Sequence, residues 1–286
     1  MTATVIHTAA AARVSHYLNP RRLAGGLWRH RGLIWQLARR DVEGRYRAAH
    51  LGLLWSVLTP LLMLGVYTFA FAVVFKARWG SDPAESRATF ALTMFCGWLL
   101  YNLFAEVVSR APGLVVGNVN YVKKVIFPLE VFVPAAVLTG LINMLIGYAA
   151  WLVGWLLLNR ALPSATVLYL PCVLLPVCLT SAGLGWLLAS LGVFIRDLAQ
   201  AVQVLVQVLF FATPIFYRIE AVPYPYRWVL ELNPLSHALE DARRVLMWGA
   251  APDWAWWAFS SVAGALLTLL GYAFFMKSKR AFADVI

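Results

Sequence analysis

Lys, Arg, Asp and Glu are absent from residues 51–75, 88–105, 131–159, 161–195, 198–217 and 254–276 of this 286-residue chain. A helix crosses the hydrocarbon core of a bilayer in roughly 20 apolar residues. The uncharged stretches therefore predict six membrane spans, at about 51–75, 88–108, 130–158, 167–195, 198–217 and 254–276. The stretch from 161 is too long for one helix, and Pro163, Pro171 and Pro176 make its first part a loop or a proline-bent helix start. Arg196-Asp197 alone divides the fourth span from the fifth, which requires a tight turn. The expected fold is an all-α membrane protein with its transmembrane domain at 51–286.

Ahead of the spans, residues 1–30 read as a flexible leading segment. Residues 31–50 read as an amphipathic interface helix, with Leu33, Ile34, Leu37 and Val42 on one face against Arg39, Arg40, Asp41, Glu43, Arg45 and Arg47. This helix is either a plain positive-inside anchor or a docking surface for a cytoplasmic partner or an anionic lipid headgroup. With both termini cytoplasmic, sixteen Lys and Arg fall on the inner side and eight on the outer, the bias expected of an inner-membrane protein.

Composition narrows the class further. Hydrophobic residues make up 62% of the chain and charged residues 13%, too little polar surface for a soluble domain of this length. The basic residues flank apolar spans, so the net charge of +11 does not indicate nucleic acid. Cys96, Cys172 and Cys178 sit inside apolar stretches and predict neither disulfide nor metal site.

Polar positions inside the spans carry most of the functional signal. Gln200, Gln203 and Gln207 share one face of the fifth span, and Ser56, Thr59, Met63 and Tyr67 share one face of the first. Uncharged polar groups in a bilayer pair between helices or face a water-filled path. Such a path, with Trp55, Tyr67, Phe71, Phe210, Phe211, Phe216 and Tyr217 as stacking faces, suits a hydroxyl-rich cargo such as sugar. Small residues recur at Gly140, Asn143, Gly147, Ala150 and Gly154, and again at Ser181, Gly185, Ala189 and Gly192, as helix-packing seams. No acidic residue or histidine lies mid-span, which disfavours ion coupling. Glu220, Glu231, Glu240 and Asp241 form the one acidic cluster, with Glu240 and Arg244 spaced to pair. The chain has no Gly-Lys dipeptide and hence no phosphate-binding loop, so active transport requires an ATPase on another polypeptide.

Four blocks of sequence resemble the ABC-2 type permeases, and among them the exporters of O-antigen and teichoic acid. The first runs from Arg40-Asp41 through Arg45-Tyr46-Arg47 and Leu51-Gly52-Leu53-Leu54-Trp55 to Thr59-Pro60-Leu61-Leu62. The second is Asn118 with Val122-Lys123-Lys124-Val125 and Phe127-Pro128-Leu129-Glu130. Val193-Phe194-Ile195-Arg196-Asp197 with Phe211-Ala212-Thr213-Pro214-Ile215 is the third, and Asn233-Pro234 with Arg243 or Arg244 and Gly249 the fourth.

The resemblance implies a homodimer around a central pathway, each copy docked to a cytoplasmic ABC ATPase subunit (two in all) that binds the ATP and Mg; this chain holds no cofactor itself. It implies a coupling segment at Asn118, Tyr121, Lys123, Lys124 and Phe127, and short re-entrant helices between spans five and six. The path would be lined by Trp55, Ser56, Thr59, Tyr67, Phe71, Gln203, Gln207, Phe210 and Phe211. A lipid-linked polysaccharide on a polyprenyl pyrophosphate carrier would meet Arg40, Arg45 and Arg47, because guanidinium groups bind phosphate through charge-assisted forks. A permease for drugs or small lipids shares this architecture. A membrane enzyme acting on lipid-linked sugars is a further alternative.

Overall fold

The computed structural model describes residues 17–46, 54–76, 79, 86–123 and 127–285, without the side chains of Tyr46 and Ser56. Arg47, Lys124 and Leu51-Gly52-Leu53 lie outside the described residues. Within the described residues every regular element is helical.

Helix α1 (Pro20–Arg29) occupies part of the leading segment. Its start is written locally: the Asn19 side chain accepts from the Arg21 N–H, and Pro20 takes the first position, where a missing N–H costs nothing. Helix α2 (Arg31–Tyr46) follows. Ile34, Leu37, Ala38 and Val42 form its buried stripe, with Leu33 half-buried beside them. That stripe packs on α5 (Phe132–Asn159).

Five helical stretches are long and apolar enough to cross a membrane: Val57–Val74, Arg87–Arg110, Leu129–Asn159, Ala165–Phe194 and Trp254–Val285. In the first, α3 (Trp55–Thr68) runs on into a π-helical turn at Phe69–Val74. Helix α4 (Arg87–Arg110) lies at the centre, 78% buried in its apolar window against 6% for the first stretch. The fourth stretch begins as a 3-10 turn at Ala165–Tyr169 and continues as α6 (Leu170–Phe194), with Pro171 in its first turn. Helix α10 (Trp254–Ser278) is the core of the fifth.

Glycines set the closest helix contacts. Leu103, Leu99 and Leu92 of α4 descend onto Gly140, Gly147 and Gly154 of α5, spaced seven residues apart. Tyr148 and Trp151 of α5 donate to the Cys96 and Leu92 carbonyls at 3.1 and 3.2 Å, which satisfies their polar tips inside the seam. Helices α6 and α10 form the most extensive pair, with backbone meeting backbone at Gly183 and Gly271.

Helix α7 (Leu198–Phe211) is apolar but has 14 residues, about 21 Å of rise, and ends six residues before the expected end of the fifth span. Its stop has a chemical cause. Thr213 returns its hydroxyl to the Leu209 carbonyl at 2.7 Å, and Pro214 has no N–H to continue the ladder.

Between α7 and α10 lie α8 (Tyr224–Glu231) and α9 (Pro234–Leu246). The apolar stripe Leu235, Leu239, Ala242 and Leu246 is fully enclosed against α4 and α6, whereas Tyr224, Tyr226 and Trp228 of α8 are exposed. Glu240 pairs with Arg243 at 3.4 Å and not, as the spacing suggested, with Arg244. Residue 243 follows the buried stripe into the core, while Glu240 stays partly exposed at its edge.

Candidate transport cavity

Helices α3, α4, α5 and α7, with Arg45 of α2, border a half-open cavity of about 800 Å3. Thr59, Met63 and Tyr67 reach it from α3 at steps of four residues, one helical face. Gln200, Gln203 and Gln207 reach it from α7, followed by Phe210 and Phe211. The stripes read in the sequence on these two helices thus open onto one space, apart from Ser56, whose side chain lies outside the described residues.

Aromatic rings crowd the end of the cavity away from α2. Tyr67 packs on Phe216 at 5.1 Å and on Phe210 at 6.1 Å between ring centres. Tyr101 meets Phe210 edge-on at 5.3 Å and donates its hydroxyl to the Val206 carbonyl, tying α7 to α4. Phe71 lies outside the lining and stacks flat on Phe216 at 4.3 Å, 5° from parallel. In this state the rings expected to stack on cargo stack on one another. Trp55 is partly exposed and does not line the cavity.

Asn102, Glu106 and Ser109 of α4 and Asn143 of α5 also line the space, and sequence reasoning assigned none of them to it. Their signal was present as a polar stripe at i, i+4 and i+7 in an otherwise apolar helix. Glu106 accepts from Asn143 Nδ2 at 3.2 and 3.0 Å and from Arg45 of α2, which closes this rim of the cavity. Arg110, one turn further on, sits 3.6 Å from the same carboxylate and 2.7 Å from Asp41. Four charged groups on two helices thus balance to zero at the α2 end.

The two described arginines of the headgroup set, Arg40 and Arg45, separate. Arg45 borders the cavity, whereas Arg40 donates to the Tyr121 hydroxyl at 3.1 Å. Tyr121 belongs to the candidate coupling segment, whose described part holds the single helical turn Val119–Val122, preceded by another turn at Gly113–Val116. Asn118 links the turns by donating to the Leu114 carbonyl at 3.0 Å. Phe127 and Phe132 pack against the Tyr121 ring at 4.5 and 5.9 Å, and Lys123 is exposed. Among the described residues no group of His, Cys, Asp and Glu is arranged to hold a metal.

Residues 32–247 match the ABC-2 type transporter family, a match that takes in the cavity, the segment between α4 and α5, and α9. The chain belongs to that family. Over 251 residues this ABC-2 permease is 24% identical to the O-antigen export system permease protein RfbA of Klebsiella pneumoniae, covering 87% of this chain and 93% of that protein. It is 29% identical over 255 residues to the protein of the same name in Myxococcus xanthus, covering 84% and 95%. The polysialic acid transport protein KpsM of Escherichia coli is 22% identical over 217 residues, covering 73% and 79%. As an ABC-2 family member the chain is a multi-pass membrane permease subunit and not an enzyme in its own right.

Proposed function

We propose that this permease exports a lipid-linked polysaccharide of the O-antigen type across the bacterial inner membrane, driven by a separate cytoplasmic ABC ATPase. The observation that carries this reading is the cavity itself, in which amides, hydroxyls and aromatic rings from α3 and α7 face one space. Planar amides and rings are the groups that hydrogen-bond and stack on sugars. The names of the relatives in Klebsiella and Myxococcus support the same cargo class.

In this reading the chain crosses six times, with α7 and the turn after it as the fifth crossing and both termini inside. Two copies pair around the path through α3, its π-helical continuation and α7, whose Leu62, Val66, Phe69, Leu205 and Val208 are exposed in the single chain. Each copy seats its Asn118, Tyr121, Lys123, Lys124 and Phe127 segment in one ATPase subunit, which holds ATP and Mg. Helices α8 and α9 close the outer exit. Arg45 meets the phosphate of the carrier at the inner rim, with Arg40 on the same interface helix and Arg47 following it in sequence.

The test is a strain lacking the gene, with membrane lipids extracted and surface polymer assayed. The expected result is a polyprenyl-linked polysaccharide trapped on the cytoplasmic side and absent from the surface. Normal surface polymer with no trapped intermediate removes polysaccharide as the cargo and leaves a drug or small-lipid permease.

A further inference from the structure

We propose that Glu106 is a positioning residue that occupies the arginines of the inner rim until an anionic cargo group takes its place. The inference rests on the function proposed above and identifies the group at the entrance for which the cargo must compete.

Two guanidinium groups converge on one carboxylate. Arg45 comes from α2 and Arg110 from α4, and both approach Glu106 Oε1. The Glu106 side chain is 14% exposed, against 35% and 33% for the arginines, so the cations are the more accessible partners of the cluster. A phosphate uses the same fork of N–H donors as a carboxylate and offers more oxygens. A phosphate arriving along α2 would therefore meet Arg45 already engaged.

Two further atoms show that the cluster has capacity to spare. Arg110 Nη1, 3.6 Å from Glu106 Oε1, is paired by charge but makes no hydrogen bond, and Asn143 Oδ1 is buried without a donor. A loosely paired cation and a buried oxygen without a donor both gain from an incoming ligand that supplies the missing hydrogen bonds. A phosphate oxygen satisfies the first, and a hydroxyl donor on the sugar beyond it satisfies the second. Glu106, released from Arg45, retains Asn143 Nδ2 as a donor, so the exchange does not strand its charge. The ligand class is a phosphate or diphosphate monoester or diester, either lipid-borne or free.

The closing experiment uses the full chain purified with its ATPase subunit in lipid nanodiscs, titrated with a short-chain prenyl pyrophosphate and, separately, with inorganic pyrophosphate. Removing a competing ion pair of this exposure should tighten binding about fivefold in Glu106→Gln, while Arg45→Ala abolishes it. A gain for both probes marks a site that reads phosphate alone. A gain for the prenyl form only marks one entered from the lipid. Either upholds the exchange. Unchanged or weaker binding of both probes to Glu106→Gln overturns it and leaves Glu106 as framework. Should that variant not assemble, Glu106→Asp, whose carboxylate is withdrawn by one methylene, is expected to tighten binding in the same sense, and failure to do so counts equally against the exchange. The outcome is separable from the function itself. A deletion strain that keeps its surface polymer sinks the function, whereas one that loses it, with Glu106→Gln binding unimproved, sinks the exchange alone.

Discussion

The guanidinium of Arg243 lies 4.0 Å from the centre of the Trp79 ring, joining α9 to the connection between α3 and α4. It is fully buried and donates to the Pro214 and Ile215 carbonyls at 2.8 and 3.0 Å. Arg218 donates to the Trp79 carbonyl at 3.1 Å, so two cations hold one tryptophan. One side chain thus ties α9, the end of α7 and the loop before α4 into a single block.

Replacing Arg243 should be among the most damaging single changes on this side of the molecule. Arg243→Met fills part of the volume but leaves two buried carbonyls without donors, each worth about 1–3 kcal/mol. Thermal or denaturant unfolding in detergent should show a loss of roughly 3 kcal/mol or more. Arg243→Lys should fall between, since an ammonium cannot reproduce the planar fork. A variant within experimental error of the parent would mean that the carbonyls find other donors.

The two glycine seams should respond differently to one added methyl. A Cβ at Gly271 would stand 2.1 Å from the Gly183 carbonyl oxygen, a backbone atom that can move only with its helix. A Cβ at Gly147 would meet Leu99 Cδ2 at 2.2 Å, the end of a side chain with other rotamers. Overpacking costs typically about 1–3 kcal/mol. Gly271→Ala should therefore reach the upper end of that range or prevent assembly, and Gly147→Ala should stay near the lower end. Equal losses in the unfolding midpoint would show that the α6–α10 pair can slide apart.

Much of this arrangement is legible in the residues. Uncharged stretches mark the long helices, and the Gly140, Gly147 and Gly154 spacing marks a seam. Sequence cannot say which neighbour a small residue meets: Gly183, outside the small-residue stripe read in its helix, makes one of the closest backbone approaches. The faces of α3 and α7 give the cavity because their polar groups recur at helical steps. Glu106 escaped because a carboxylate near the end of a span is ordinary, and only its stripe with Asn102 and Ser109 distinguishes it. Arg40 and Arg45 look equivalent in the chain, yet five residues turn a helix through about 500°, leaving them some 140° apart around its axis. One therefore faces the coupling segment and the other the cavity.

Asp241 should give the segment between α7 and α10 a pH dependence. Burial pushes its carboxyl up to about 6, although the Asp253 N–H, donating at 2.7 Å, and the charge of Arg244 pull the other way. A carboxyl whose pKa is higher folded than unfolded binds its proton more tightly in the fold, so stability falls as pH rises from about 4 through 6. The unfolding free energy should accordingly drop between pH 4 and 6, by an amount on the order of 1 kcal/mol or more, and level off above. Asp241→Asn keeps the acceptor for Asp253 and removes the titration, so its profile over that window should be flatter. A parent and variant with parallel profiles would assign the dependence to other groups.

The contact between Arg40 and Tyr121 ties the interface helix to the segment proposed to seat in the ATPase, and it can be tested as a pair. Tyr121→Phe removes the hydroxyl that accepts from Arg40 at 3.1 Å and keeps the ring packed on Phe127. Arg40→Ala removes the donor from an exposed position, so neither change should move the unfolding midpoint by more than about 0.5 kcal/mol. If the bond transmits ATPase motion to α2, each variant should hydrolyse ATP at the parent's basal rate yet export less polymer per ATP. The double variant should then be no worse than either single, the non-additivity expected of two residues acting through one contact. Charge reversal at the exposed Lys123 acts on the ATPase side of the same segment and should compound the defect, because it disturbs a different surface. Additive losses from Arg40→Ala and Tyr121→Phe would separate the two residues and place transmission through the Phe127 and Phe132 rings.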